Sequence, residues 1–226
     1  MTGSIEGAES TPSAVLFDMD GLLVDSEPLW FLAEQQVVDE LGGTWTKQHQ
    51  EDLLGSNLEF AAHYMIRLTG SSRPPAEVAV MLKDAMTAQL GTGVTFRPGV
   101  TELVAALAKA EIPTALVTSS VRDHLDLVLN SLPDHRFDVL VTGDDVTHKK
   151  PHPEPYLRAS GLLSVAPRDC VVLEDSPAGV ASAEAAGCAV IAVPSVVPIE
   201  PGPRRQVVAT LREVDLGVLR SVLTRS

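Results

Sequence analysis

Five short apolar runs, each closed by a polar or turn-forming residue, constrain this chain more than any other feature. Ala14-Val15-Leu16-Phe17 ends at Asp18, Ala115-Leu116-Val117 at Thr118, and Val139-Leu140-Val141 at Thr142 and Gly143. Val171-Val172-Leu173 ends at Glu174 and Asp175, and Ala189 to Val193 at Pro194. Continuous β-branched runs of this length suit strands covered on both faces, as in a parallel sheet. Helical patterns lie between them: Val100 to Ala110 after Pro98-Gly99, Arg122 to Leu129, Pro155 to Leu163, and Ala178 to Ala186 with Gly187 as its C-cap. The alternation predicts an α/β fold, a Rossmann-like doubly wound parallel sheet whose ligands sit at the carboxyl ends of the strands. The polar residues that close the runs converge there.

One gap breaks the alternation. From Asp25 to Arg97 there is no strand-like run, only helical patterns separated by Gly and Pro. The segment reads as an inserted α-helical cap over residues 28–95, with the α/β core in 14–27 and 96–226. Its first helix is expected from Pro28, with Leu29, Leu32, Ala33, Gln36, Val37 and Leu41 on one face before Gly42 stops it. Further helices fit Asn57 to Thr69 and Pro75 to Leu90. Leaving just after the first strand and returning at Arg97-Pro98-Gly99, the insert is expected to act as a lid over the strand ends, hinged there and at Asp25-Ser26.

Residues 1–13 are small, polar and acidic, without the basic start and apolar run of a secretory signal, and read as a disordered tail. No stretch is long and apolar enough to span a bilayer. The formal charge of −13 over 226 residues opposes binding to nucleic acid or anionic lipid, both polyanions that need clustered Lys and Arg. The two cysteines, Cys170 and Cys188, sit in settings that suit small buried hydrophobes, and a reduced, cytoplasmic location follows. With no heptad or exposed apolar stripe, a monomer is expected.

Asp18-Met19-Asp20-Gly21 directly follows the first strand, and residues two apart on extended backbone point the same way, so both carboxylates can face one site. Asp-x-Asp in a loop is commonly a solvated turn or an N-cap; its place at the end of a core strand is what raises it. Two acids there need a positive partner, and Glu174-Asp175 brings further carboxylates to the same rim, an oxygen-only set suited to Mg²⁺. The six histidines offer no softer metal site by spacing: His148 and His152 flank Lys149-Lys150-Pro151, share no helical face and read as surface imidazoles. Thr118 and Ser119 offer hydroxyls and backbone N–H groups for an anion, although spacing fits N-capping of the helix near Arg122 equally well. Lys150 offers a cation, which taken singly is an ordinary surface charge.

Together, Asp18-Met19-Asp20-Gly21-Leu22-Leu23-Val24-Asp25-Ser26-Glu27-Pro28, Thr118-Ser119-Ser120, Lys150-Pro151-His152-Pro153 and Leu173-Glu174-Asp175-Ser176-Pro177-Ala178-Gly179 resemble the four signature motifs of the haloacid dehalogenase superfamily. The likeness runs in order from about Ala14 to about Val193, with a helical cap after the first motif as in the β-phosphoglucomutase-like branch. It implies a Mg²⁺-dependent phosphatase of small phosphorylated metabolites, sugar or polyol phosphates foremost. Asp18 would be the nucleophile that forms an aspartyl-phosphate, and Asp20 the general acid and base. Thr118 and Lys150 would hold the phosphoryl group, Lys150 being preferred over Lys149 because it directly precedes Pro-x-Pro. Mg²⁺ would rest on the Asp18 side chain, the Asp20 carbonyl and Asp175, with Glu174 supporting it.

Other reactions of the superfamily fit less well. Dehalogenases lack the second aspartate of the first motif, here Asp20. Phosphonate-cleaving members need a cap lysine, and this insert has only Lys47 and Lys83. The phosphosugar mutase is the alternative, but Trp30 stands where mutases carry a histidine, and Leu58, after Gly55-Ser56-Asn57, where they carry a phosphate-gripping arginine. Trp30 and Asn57 are the candidates for substrate contact within the cap, a buried core role being the alternative for the tryptophan.

Overall fold

The computed structural model describes residues 11–53, 56–132 and 137–225, which form two compact units. The first comprises the described parts of Met1–Leu23, Phe96–Ser119 and His135–Ser226; the second comprises those of Val24–Thr95 and Ser120–Asp134.

The first unit carries the expected doubly wound sheet. Its strands are β1 (Ala14–Phe17), β2 (Thr114–Val117), β3 (Val139–Val141), β4 (Cys170–Glu174), β5 (Ala189–Ala192) and β6 (Arg205–Val207). They lie in the order β3-β2-β1-β4-β5-β6, all parallel, with Leu16 opposite Val172 and Phe17 opposite Leu173. The apolar runs do not alternate because both faces are covered: every residue of β1 is fully buried. Leu16, Val117, Val172 and Val190 pack with Tyr156, Ala159 and Val180 on one side of the sheet. Burying a side chain the size of Leu16 or Phe17 contributes about 1.5–3 kcal/mol. The sixth strand is missing from the sequence reading because Arg205-Gln206-Val207 is a short polar edge, half-buried throughout. The flanking helices of this unit are α5 (Val100–Lys109), α7 (Glu154–Leu162), α8 (Pro177–Ala185) and α9 (Leu216–Leu223). Residues 1–10 of the expected tail lie outside the described residues; Pro12 is buried and the Ser13 amide donates to the Asp169 carbonyl at 2.9 Å, so 11–13 are tied to the sheet unit.

The second unit contains α1 (Glu27–Glu40), α2 (Lys47–Leu53), α3 (Leu58–Thr69), α4 (Pro75–Gly91) and α6 (Arg122–Asn130). Helix α4 is its centre, burying Val78, Leu82, Ala85, Met86 and Leu90 and packing against α1, α3 and α6. The sequence reading leaves α6 with the sheet; Lys83 pairs with Asp123 at 3.1 Å and Thr87 bonds the buried His124 at 3.0 Å, so α6 clusters with α4. The buried face of α1 also differs from the periodic reading. Ala33, Glu34, Val37 and Val38 are enclosed, whereas Leu32 is 45% exposed and Gln36 faces solvent. Hydrophobicity alone marks a different stripe, because the enclosed one includes an acid.

Glu34 is 7% exposed, and among the described residues its Oε2 and the buried Trp45 Nε1 make no hydrogen bond. Burial first, then the charge of Glu27, push the Glu34 carboxyl from 4.5 to about 8, with the nearby Trp45 indole pulling the other way. Between those pH values the folded chain keeps a proton that the unfolded chain has lost, so stability falls as pH rises from about 4.5 to 8 and is level above. Glu34→Gln removes this slope, which reaches about 1.4 kcal/mol per pH unit at its steepest. Urea unfolding at several pH values should show the wild type losing more stability toward pH 8 than the variant does, the difference between them being the Glu34 contribution. Equal slopes in the two proteins would discharge Glu34 from the role.

Candidate active site

The site is assembled where β1, β2 and β4 end. The Asp18 amide donates to the Leu173 carbonyl at 3.0 Å, extending the β1–β4 pairing by one residue, and the Asp18 side chain is buried. In this strand order the winding reverses between β1 and β4, the crevice where a doubly wound sheet binds its ligands. Asp20 is half-buried and its Oδ2 accepts from Thr118 Oγ1 at 3.2 Å, while the Thr118 amide continues the β2–β3 pairing to the Val141 carbonyl at 2.9 Å. Gly21 follows with a φ of +82°, and a Cβ there would stand 2.0 Å from Asp175 Oδ2. Only glycine lets the loop after β1 pass this close to the loop after β4.

Lys150 reaches into this group from the turn before α7. Its Nζ donates to Asp18 Oδ1 at 2.5 Å, Glu174 Oε1 at 2.7 Å and the Val117 carbonyl at 2.9 Å, so each of its three protons has an acceptor. Burial opposes the charge, yet Asp18 and then Glu174 outweigh it and hold the ammonium above its ordinary pKa. Lys149 is exposed and donates to the Ser119 carbonyl at 3.1 Å, so of the two neighbouring lysines Lys150 is the one the fold encloses. Ser119 itself is exposed beside Thr118.

Glu174 is fully buried and wholly occupied by protein donors. Oε1 accepts from Lys150 and from Tyr156 Oη at 2.6 Å; Oε2 accepts from the Asp175 amide, the Ser176 amide and Ser176 Oγ at 3.2, 3.4 and 3.1 Å. Ser176 also caps α8, accepting from the Gly179 amide at 3.1 Å. A carboxylate so engaged positions Lys150. Tyr156 contributes twice, since the Lys150 ammonium also lies 4.9 Å from its ring centre. Tyr156 and Ser195, which donates to Asp175 Oδ2 at 2.5 Å, are absent from the sequence reading. Ser195 follows the fifth apolar run, and the strand-end rule applied there would have found it.

Asp18, Glu174 and Asp175 bring carboxylate oxygens within 4.8 Å of one another, all buried. Burial above all raises Asp18 well above the usual carboxylate range; Lys150 opposes this, while Glu174, Asp175 and Asp20 add to it. Burial likewise raises Asp175 to about 7, aided by the charge of Glu174 and opposed by the Ser195 bond. Three buried carboxylates against one ammonium leave negative charge uncompensated. The shortage, and a donor set made only of oxygens, fit a hard divalent cation such as Mg²⁺.

Outside this centre, His148 and His152 are surface imidazoles as expected, but they are neighbours, which their spacing does not show. Their rings lie 4.5 Å apart, with Glu154 beside both. The turn after Lys150 folds back, bringing together what linear spacing across a proline keeps apart. The remaining candidates belong to the helical unit. Trp30 is half-buried, edge-on to His124 with ring centres 6.4 Å apart. Asn57 is exposed and caps α3, its oxygen accepting from the Phe60 amide at 2.8 Å.

A family model described as haloacid dehalogenase-like hydrolase matches residues 15–193. Hexitol phosphatase A of Escherichia coli (strain K12) is 36% identical over 187 residues, covering 79% of this chain and 81% of that protein. Hexitol phosphatase B of the same strain is 34% identical over 193 residues, covering 82% and 86%. The crystal structure of CbbY from Rhodobacter sphaeroides in complex with phosphate superimposes with a TM-score of 0.79 at 27% identity, covering 89% of this chain and 95% of that one. Sheet order, site and sequence likeness agree: the chain belongs to the haloacid dehalogenase-like hydrolase family.

Proposed function

We propose that this chain is a Mg²⁺-dependent phosphatase of small phosphorylated metabolites, with sugar or polyol phosphates as its substrate class. The observation that carries the reading is the buried Asp18 carboxylate held by Lys150, with Asp20 two residues on and bonded to Thr118. An Asp18 oxygen attacks phosphorus, and the bond to the substrate oxygen breaks as Asp20 delivers a proton to it. The aspartyl-phosphate is then opened by water, which gives its proton to Asp20 as it attacks phosphorus, releasing phosphate and restoring Asp18. Lys150 and the Thr118 hydroxyl neutralise and hold the phosphoryl oxygens. Asp18, Asp175 and the Asp20 carbonyl would hold Mg²⁺, with Glu174 supporting them; when bound, the ion supplies further charge neutralisation.

Within the helical cap, Trp30 and Asn57 are proposed to meet the organic part of the substrate. The net charge of −13 supports a reading without nucleic acid or anionic membrane as partner, and the two buried free cysteines support a cytoplasmic setting, where the chain is proposed to act as a monomer on a small phosphorylated substrate. Among the described residues no helix is long and apolar enough to cross a membrane. Hexitol phosphatases as relatives, together with Trp30 and Leu58 in place of a histidine and an arginine, favour hydrolysis over the mutase reaction.

Phosphate release from a panel of phosphorylated sugars, polyols and small acids, with and without Mg²⁺, tests the reading. Release is expected to require Mg²⁺ and to fall to the background rate in Asp18→Asn. Interconversion of hexose 1- and 6-phosphates without phosphate release would establish the mutase instead.

A further inference from the structure

The turn that delivers Lys150 carries three side chains that hydrolysis does not use. His148 and His152 flank the lysine, and Glu154 opens α7. The two imidazole rings are tilted by only 32°. Glu154 Oε2 lies 2.8 Å from His148 Nδ1 and 4.0 Å from His152 Nδ1, and one ligand atom from each residue falls within 4.8 Å of the other two. Nitrogen and oxygen ligands placed tetrahedrally around one ion at 2.0–2.2 Å stand roughly 3.3–3.6 Å apart, a spacing that the observed contacts straddle.

The group is held in place before any ion arrives. The Thr147 amide donates to Glu154 Oε1 at 2.8 Å and the His148 amide to Oε2 at 3.0 Å, which fixes the carboxylate. Ser182 Oγ donates to the His152 carbonyl at 2.6 Å, which fixes the backbone of the second histidine, while the Glu154 amide donates to His152 Nδ1 at 3.2 Å, a bond that coordination through Nδ1 would replace. The chemistry also differs from that of the buried carboxylates. Two imidazoles and one carboxylate, open to solvent on one side, suit Zn²⁺, Co²⁺ or Ni²⁺; imidazole is a poor ligand for Mg²⁺.

We propose that His148, His152 and Glu154 form a second metal site, for a transition-metal ion of the Zn²⁺ class, distinct from the oxygen-only group of Asp18, Glu174 and Asp175. Coordination replaces the hydrogen bond between His148 Nδ1 and Glu154 Oε2, the ring proton being carried on Nε2, and water completes the coordination. The ion ties residues 148 and 154 together across the turn that bears Lys150.

The test uses the full chain without an affinity tag, in excess Mg²⁺, titrated with Co²⁺ and followed by visible absorption, with Zn²⁺ competition. One Co²⁺ per chain is expected, displaced by Zn²⁺. His148→Gln and His152→Gln should each weaken binding by at least about tenfold, and the double variant should abolish it. These side chains are 60% and 49% exposed, so the fold should survive, which circular dichroism checks. Asp175→Asn should keep the Co²⁺ signal, and His148→Gln should keep the Mg²⁺-dependent turnover measured in the absence of Zn²⁺. Absence of Co²⁺ binding, an unchanged signal in the double variant, or its loss in Asp175→Asn would each overturn the proposal.

Discussion

Lys150→Met is expected to unfold at a free energy lower by about 3–5 kcal/mol at pH 7.5 without Mg²⁺, the cost of removing one partner from a buried ion pair. The lysine side chain is 6% exposed and its partners Asp18 and Glu174 are 9% and 0% exposed, so water cannot take over the solvation of the carboxylates. The loss should depend on pH in a definite direction. Between pH 5.5 and 7.5 the wild-type ammonium is charged both folded and unfolded, so it adds no slope of its own. In the variant Asp18 loses the charge that opposes its upward shift, so its carboxyl holds a proton more firmly in the folded state than it does in the wild type, and the folded state gains more on acidification. Urea denaturation should therefore show a smaller deficit at pH 5.5 than at pH 7.5. A deficit below about 1 kcal/mol at pH 7.5, the value of an exposed pair, would mean that Lys150 is not the charge that holds the cluster together.

Asp20→Asn is expected to slow turnover by roughly two to four orders of magnitude, the usual contribution of general acid and base catalysis. Asparagine preserves the shape and can still accept from Thr118, so neither fold nor metal binding should suffer. The backbone carbonyl assigned to Mg²⁺ is untouched. If Asp20 serves both halves of the reaction, as proposed, the phosphoryl group on Asp18 should outlive its wild-type counterpart, visible in the intact mass of protein quenched during turnover. Normal turnover in this variant would remove Asp20 from the chemistry. Slow turnover without a persisting phosphoryl group would confine the defect to the first half.

The parts of the centre that close strands could be read directly from the chain. Asp18, Thr118 and the Glu174-Asp175 pair each stand where an apolar run stops, and a parallel sheet aligns such stops at one edge. Lys150 has no such marker; only its setting before Pro-x-Pro singled it out. Tyr156 stayed hidden because a tyrosine two residues into an amphipathic helix looks like core packing, and here it is both core and ligand to Glu174. The helix Lys47–Leu53 was missed because KQHQEDL has too few apolar residues to mark a face. Its support comes from side chains instead: Tyr64 donates to Asp52 at 2.8 Å, and Gln50 donates to the Glu27 carbonyl at 2.8 Å. Glu34 and the pair His148 and His152 show the same limit, since partners brought together by chain reversal leave no period to detect.

The strand order has a consequence for how the protein is made. Among the described strands the earliest in the chain, Ala14–Phe17, lies inside the sheet, and both its neighbours, β2 and β4, are synthesised much later. Asp18 and Lys150, in direct contact when folded, are 132 residues apart along the chain. At a translation rate of about 5–20 residues per second, the apolar first strand spends several seconds without a partner while the helical segment emerges behind it. Nascent chains arrested before Cys170–Glu174 should therefore be dependent on chaperones and wholly inactive, with activity arising only after that strand has emerged.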